Sequence, residues 1–294
     1  MKDRRQGYYG PTGLSHLAGL GSLEELSISS GDALSEADLA CLEPLGRLRD
    51  LTILSQNVTD RGLASIGKLK QLERLTFRFS ALGGTGVSKS GLNQLNGLPN
   101  LRFLQVNLWG NAAKTDPADE LMLDLSGLKK MKDMNLSGLQ LQDSDLAFLE
   151  HLPLLEILSI QPDSLTGAFL RHLRELPELN RLYVSGLSDC TGEDLAHLNG
   201  LPKLRNLTVK GDITDTALAS LTGPLPLESL TVETDEPIRK QTVTDLTKSH
   251  PVIEFIHINE LQKVQTRPVS TPKRTGVSQT RVNQRTQQNR PRSR

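Results

Sequence analysis

Apolar residues recur along this chain in one repeating phase. Residues 201–232 show it most plainly: Leu204, Leu207 and Val209 form an L-x-x-L-x-V segment, a connector follows, and Leu227, Leu230 and Val232 repeat the segment. The first apolar positions of all such segments are Leu23, Leu48, Leu72, Leu101, Met131, Leu155, Leu179, Leu204, Leu227 and Ile253. They stand 23–26 residues apart, except for two adjacent intervals of 29 and 30 between Leu72 and Met131. A fixed period of this size marks a stack of repeated supersecondary units, none of which can bury its apolar face alone.

Each segment predicts a short strand. Leu207 and Val209 alternate with Asn206, Thr208 and Lys210, the period-2 pattern of a half-buried strand. Thr, Val and Ile near the segment ends add β propensity. Between strands the period lengthens. Leu63, Ile66 and Leu69 fall three apart on one helical face, after Thr59 and Asp60, whose side-chain oxygens suit an N-cap. The same start recurs at Ser35–Asp38, Asp143–Asp145, Thr191–Asp194 and Thr214–Asp215. Leu-Pro pairs at 98–99, 152–153, 176–177 and 201–202 predict where each connector stops and the next strand begins.

These segments resemble the leucine-rich-repeat family. The V/I-T-D-x-(G/A)-L step at Val58–Leu63 and Ile213–Leu218 is similar to its subclass of about 24 residues with helical connectors. The resemblance implies an α/β solenoid, or horseshoe, over residues 14–261, with a concave parallel sheet and convex helices. It leaves 1–13 as a flexible segment and 262–294 as a tail. One family feature is missing. The Asn or Cys expected eight positions after the first Leu is replaced by Ser80, Trp109, Leu139, Leu187, Asp212 and Asp235, among others. The turn backbone there needs other partners.

Composition adds two points. Hydrophobic residues make up 36% of the chain but aromatic ones only 3%, so the core must be built from Leu and Ile. The formal net charge is zero, yet residues 262–294 hold nine of the 34 basic residues and none of the 34 acidic ones. Residues 1–261 therefore carry 25 basic and 34 acidic side chains, a net of −9. The Gln-, Thr- and Arg-rich tail is expected to be disordered, a weak electrostatic arm for an anionic partner. Cys41 and Cys190 lie too many repeats apart for a disulfide and are expected to be buried thiols. No apolar run approaches the ~20 residues of a membrane span, and the N-terminus has no secretory pattern. A soluble, cytoplasmic protein is expected.

Chemical signatures are sparse. Residues 82–91, LGGTGVSKSG, place Lys89 and Ser90 after glycines, but a phosphate loop requires Gly where Ser88 stands. His151, His172 and His197 each precede a Leu on a connector and are expected on solvated flanks. No zinc spacing or G-x-S-x-G elbow appears. Neither an enzyme nor a cofactor is expected.

The expected function lies in the open face of the sheet. Residues interleaved with the strand core should stack into ladders: Glu25, Asp50, Arg74, Phe103, Asp133, Ile157 and Arg181 in one, Thr76, Gln105, Asn135, Ser159 and Tyr183 in the next. Against a floor of hydroxyls and amides, Arg74, Arg78, Phe103, Asn107 and Trp109 stand out in repeats three and four, and Arg181 and Tyr183 form a second group. These residue types are enriched at binding hot spots. The two long intervals place extra residues on one rim beside the only Trp, Trp109. The opposing expectation packs Phe103 and Trp109 as local core beneath the inserted loops. The family resemblance implies a protein-binding scaffold. Two alternatives remain: a recognition adaptor of a larger assembly of the ubiquitin-ligase type, and a nucleic-acid-associated protein acting through its tail.

Overall fold

The structure, a computed structural model, describes residues 11–30, 34–55, 58–80, 87–109, 121–162 and 165–260. The tail expected at 262–294 lies outside the described residues. Ten strands form one sheet: β1 (Glu25–Ser29), β2 (Asp50–Ser55), β3 (Arg74–Ser80), β4 (Phe103–Trp109), β5 (Asp133–Ser137), β6 (Ile157–Gln161), β7 (Arg181–Cys190), β8 (Asn206–Ile213), β9 (Ser229–Thr234) and β10 (Phe255–Glu260). Their order in the sheet is their order in the chain, and every pairing is parallel.

The core has one source in each repeat. The first apolar residue of every segment from Leu23 to Leu227 is buried, as are the two that follow on the inner face of the strand. Connectors lie over that face and complete a single apolar cluster running the length of the stack. A period near 24 leaves space for roughly one or two helical turns. The connectors are accordingly short: α1 (Glu36–Ala40), α2 (Asp60–Ile66), α3 (Lys89–Asn93), α4 (Gly192–Ala196), α5 (Asp215–Leu218) and α6 (Lys240–Ser249), with 3-10 turns at Asp143–His151 and Gly167–Leu173. Leu98, Leu152 and Leu201 each follow a 3-10 turn at its C-cap, directly before proline.

The helix starts divide their work in a way the sequence does not show. Thr59 caps its own helix, accepting from Gly62 N at 3.3 Å, and Thr214 does the same for Ala217 N at 3.1 Å. The Asp that follows reaches forward into the next repeat. Asp60 accepts from Ser88 N at 2.8 Å and from Ser88 Oγ; a Cβ on Gly91 would lie 2.0 Å from this carboxylate. Asp143 accepts from Thr166 Oγ1 at 2.8 Å and Phe169 N at 3.1 Å. Asp215 accepts from Arg239 N at 2.8 Å and Thr242 Oγ1 at 2.6 Å. Each clasp satisfies helix-terminal groups that a one-turn helix leaves open and ties neighbouring repeats together.

Between β4 and β5 the described connector, residues 121–132, contains no helix. Its backbone is held by side chains from the preceding repeat. Asn93 donates to Met122 O and accepts from Asp124 N; Asn96 donates to Asp124 O and accepts from Gly127 N. A buried ion pair spans the gap. Lys89 Nζ lies 2.7 Å from Asp145 Oδ2, with the side chains 14% and 1% exposed. Asp145 also accepts from Leu123 N at 3.1 Å and Gln142 N at 2.8 Å. Lys89 and Ser88, the residues of the glycine-rich stretch, are thus occupied in structure; residues 81–86 lie outside the described residues.

Three expectations need correction or detail. His172 is buried rather than solvated: its Nδ1 lies 2.5 Å from Glu150 Oε1, while Nε2 accepts from Arg171 Nε at 3.2 Å. The contact with His172 holds the Glu150 carboxyl below its usual range. The missing Asn at the strand exits is answered in repeat nine by buried Thr234, whose hydroxyl donates to Ile213 O and accepts from Ile213 N and Glu236 N. Gly138 (φ 71°) and Gly211 (φ 135°) turn the chain at other exits, where a Cβ would meet a carbonyl oxygen at 1.9 and 2.0 Å. Cys190 is buried and Cys41 half-buried, both free; burial pushes the Cys190 thiol up to about 12.

The two ends differ. A 3-10 turn, Pro11–Leu17, lays buried Leu14 and Leu17 over the first repeat. At the other end Ile253, Ile256 and Ile258 are only partly buried.

Three outcomes follow from this architecture. Leu158→Asp buries an unpaired carboxylate at a fully buried central position and is expected to destabilise by on the order of 4 kcal/mol or more; an unshifted melting curve would exclude the stacked core. Lys89→Met strands the buried Asp145 charge and should lower stability by about 3–5 kcal/mol. Lys89→Met/Asp145→Asn should recover part of that loss in urea titrations, because Asn keeps an acceptor for a backbone N–H. Hydrogen bonds from Thr242 and Arg239 hold the Asp215 carboxyl down to about 2, against about 3.9 unfolded. The depressed value makes its stabilisation fully present above about pH 4 and lost as pH falls toward 2. Asp215→Asn should therefore lower the urea midpoint at pH 7 and leave it little changed at pH 2.

Candidate functional site

Strand alternation sends every second side chain to the face of the sheet not covered by connectors, and parallel pairing aligns those side chains across repeats. The first ladder is observed in the expected register: Glu25 opposite Asp50, Asp50 opposite Arg74, Arg74 opposite Phe103, Phe103 opposite Asp133, Asp133 opposite Ile157 and Ile157 opposite Arg181. The second runs through Thr76, Gln105, Asn135, Ser159 and Tyr183. A third contains Arg78, Asn107, Ser137 and Gln161.

Of the residues singled out in repeats three and four, Arg74, Arg78, Phe103 and Asn107 lie side by side on the adjacent strands β3 and β4. Arg74 and Arg78 are both exposed on β3. The Arg74 guanidinium lies 4.1 Å from the Phe103 ring centroid, a cation–π contact worth roughly 0.5–1 kcal/mol at an exposed site, and its Nε is 3.3 Å from Asp50 Oδ2. Phe103 is half-buried on this open face, not in the core beneath it. Asn107 sits beside Arg78 in register and accepts from Ser137 Oγ at 3.2 Å. Trp109 ends β4 with its backbone opposite Ser80; its side chain and the inserted residues 81–86 and 110–120 lie outside the described residues.

Arg181 and Tyr183 stand apart on β7, separated from β4 by two strands. Arg181 is exposed. Tyr183 receives Lys210 Nζ at 5.3 Å from its ring centroid, and Lys210 is in turn 2.8 Å from Glu233. The hydrogen bond that Lys210 donates to that carboxylate raises its pKa.

The space between the two groups is occupied by residues that residue-type reasoning passed over. Asp133 is half-buried on β5. Burial pushes its carboxyl up, while Arg74 on one side and Arg181 on the other oppose the shift. Asp50 is raised in the same way by burial, against the pull of Arg74. Beside Asp133 on the same face, the Asn135 carbonyl oxygen is buried without a hydrogen-bond partner. Asp133 could be placed from the ladder alone; its partial burial could not. Among the described residues, no group of three or more His, Cys, Asp or Glu is arranged to hold a metal ion, and no helix is long and apolar enough to cross a membrane.

No protein-family model and no curated protein sequence matches the chain. Solved structures do. An internalin (inlF) from Listeria monocytogenes superposes with a TM-score of 0.54 at 18% identity, over 83% of this chain and 69% of that one. A plant peptide hormone receptor, RGFR1 in complex with RGF2, superposes with a TM-score of 0.52 at 14% identity, over 84% of this chain. The chain spans 41% of the receptor's length. Both relatives are leucine-rich-repeat proteins. With ten parallel strands in sequential order over a leucine core, the chain has the leucine-rich-repeat solenoid fold.

Proposed function

We propose that this protein is a binding scaffold that recognises a protein partner on the open face of its sheet, between β3 and β7. The observation that carries this reading is the β3–β4 patch. There Arg74 stacked on Phe103 and Arg78 beside Asn107 form adjacent rungs of charged, aromatic and amide groups on an uncovered surface. A connector-side core accounts for the leucines; it gives no structural use to an exposed arginine, an aromatic ring and a second exposed arginine on the opposite face. Arg and aromatic side chains are the types that dominate binding energy where they cluster. The peptide hormone held by the plant receptor of the same fold supports a protein or peptide as the kind of partner.

Arg78→Ala/Phe103→Ala should retain the wild-type melting curve, since neither side chain belongs to the apolar core. Affinity capture from the native source, compared between wild type and this variant by quantitative mass spectrometry, should lose the specific partner about tenfold or more, as loss of one hot spot requires. Equal recovery of every captured protein would remove the patch from the binding site. Trp109→Ala tested alongside reports whether the rim beside β4 takes part.

A further inference from the structure

Given the protein-binding role proposed for the open face, on which this rests, we propose that the bound segment is extended and acidic. Its carboxylates meet Arg78 and Arg181, and a hydrogen-bond donor between them faces Asp133.

Charge makes the first part of the case. Residues 1–261 carry 25 basic and 34 acidic side chains, so their surface as a whole is acidic. The open face from β3 to β7 departs from that. Over the first three open-face positions of each of these strands the charged residues are Arg74, Arg78 and Arg181 against Asp133 alone. The flanks are different: Glu25 and Asp50 lie on β1 and β2, while Lys210 on β8 is neutralised by Glu233. Arg74 is engaged by Asp50 and Phe103. Arg78 and Arg181 are exposed and, among the described residues, make no ion pair. A local excess of positive charge on an acidic body selects and steers an acidic partner.

Geometry makes the second part. Four strand steps separate β3 from β7, and Arg78 lies four residues along its strand from the ladder that holds Arg181; at the usual strand spacing and rise the two arginines are about 23 Å apart, which roughly seven residues of extended chain would span. The floor between the arginines is lined by Gln105, Asn135 and Ser159, short groups that can hydrogen-bond the backbone of a segment lying flat across them. Beside its middle, in the neighbouring ladder, Asp133 disfavours a third carboxylate and favours a donor. The complement is therefore acid, donor, acid. A nucleic acid fits less well, because a continuous line of phosphates would meet Asp133 and the acidic remainder of residues 1–261.

The test selects binders from a displayed library of random 12-residue peptides on the full chain, then measures them by fluorescence anisotropy. Wild type should enrich peptides with two Asp or Glu about seven positions apart and a Lys, Arg, Gln or Asn between them. Arg78→Glu/Arg181→Glu should weaken these peptides about tenfold or more, and replacing both peptide acids by Lys should restore binding to that variant. Both arginines lie outside the core cluster, so the variant is expected to melt as wild type does. Neutral or basic peptides whose binding is lost in Phe103→Ala/Tyr183→Ala would overturn the acidic segment and leave the open face as the binding site. Acidic peptides indifferent to the charge reversal would also overturn it, by placing them elsewhere on the chain. Peptides indifferent to every one of these substitutions would overturn both readings.

Discussion

Every feature of this molecule depends on one constraint: a repeat with three inward apolar side chains on a five-to-ten-residue strand cannot bury them without a neighbour. Leu155, Leu158 and Ile160 are fully buried because the strands on both sides and the connectors behind them close over the same face. Stability in such an array is a sum of repeat and nearest-neighbour contributions. A continuous stack therefore needs each junction to be satisfied locally. The forward-reaching carboxylates of Asp60, Asp143 and Asp215 do so on the connector side, and parallel backbone pairing does so in the sheet.

The junction at repeats four and five is the informative exception. Where the described connector contains no helix, Leu123, Leu125 and Leu128 still reach the core, and polar contacts hold the irregular chain: Asn93 and Asn96 on the backbone, and Lys89 with Asp145 across the gap. A buried ion pair is a poor source of net stability, because both ions lose their hydration. It is sensitive to loss of either partner for the same reason. The long intervals between Leu72 and Met131 thus fall where specific hydrogen bonds and charge pairing supplement leucine packing. The β3–β4 patch sits on the opposite side of the sheet from these contacts, carried by strands whose register is continuous with the rest.

The open face inherits its order from that register. Strand alternation fixes which side chains emerge, and parallel pairing places Arg74 against Phe103 and Arg78 against Asn107 without any dedicated loop. Electrostatics on this face are then set by position. Asp133 lies between Phe103 and Ile157 in the ladder, so partial burial raises its pKa, and the arginines two strands away in each direction offset the shift.

The sequence by itself determined the strand phase, the ten repeats, the order of the ladders and the positions of the candidate patch, because a period-2 strand pattern repeated at fixed spacing leaves one parallel register that buries the inward leucines of the strand segments. It also located the helix caps at Thr59, Thr191 and Thr214, since a cap is a contact between residues three apart. It did not determine side-chain contacts between residues one repeat or more apart. That Asp60 serves the next repeat rather than its own, that Lys89 belongs to Asp145 and not to a phosphate, and that His172 is buried against Glu150 were decided by the tertiary structure. Each of those polar groups has several partners within reach of its side chain, and only the stacking of one repeat on the next selects among them.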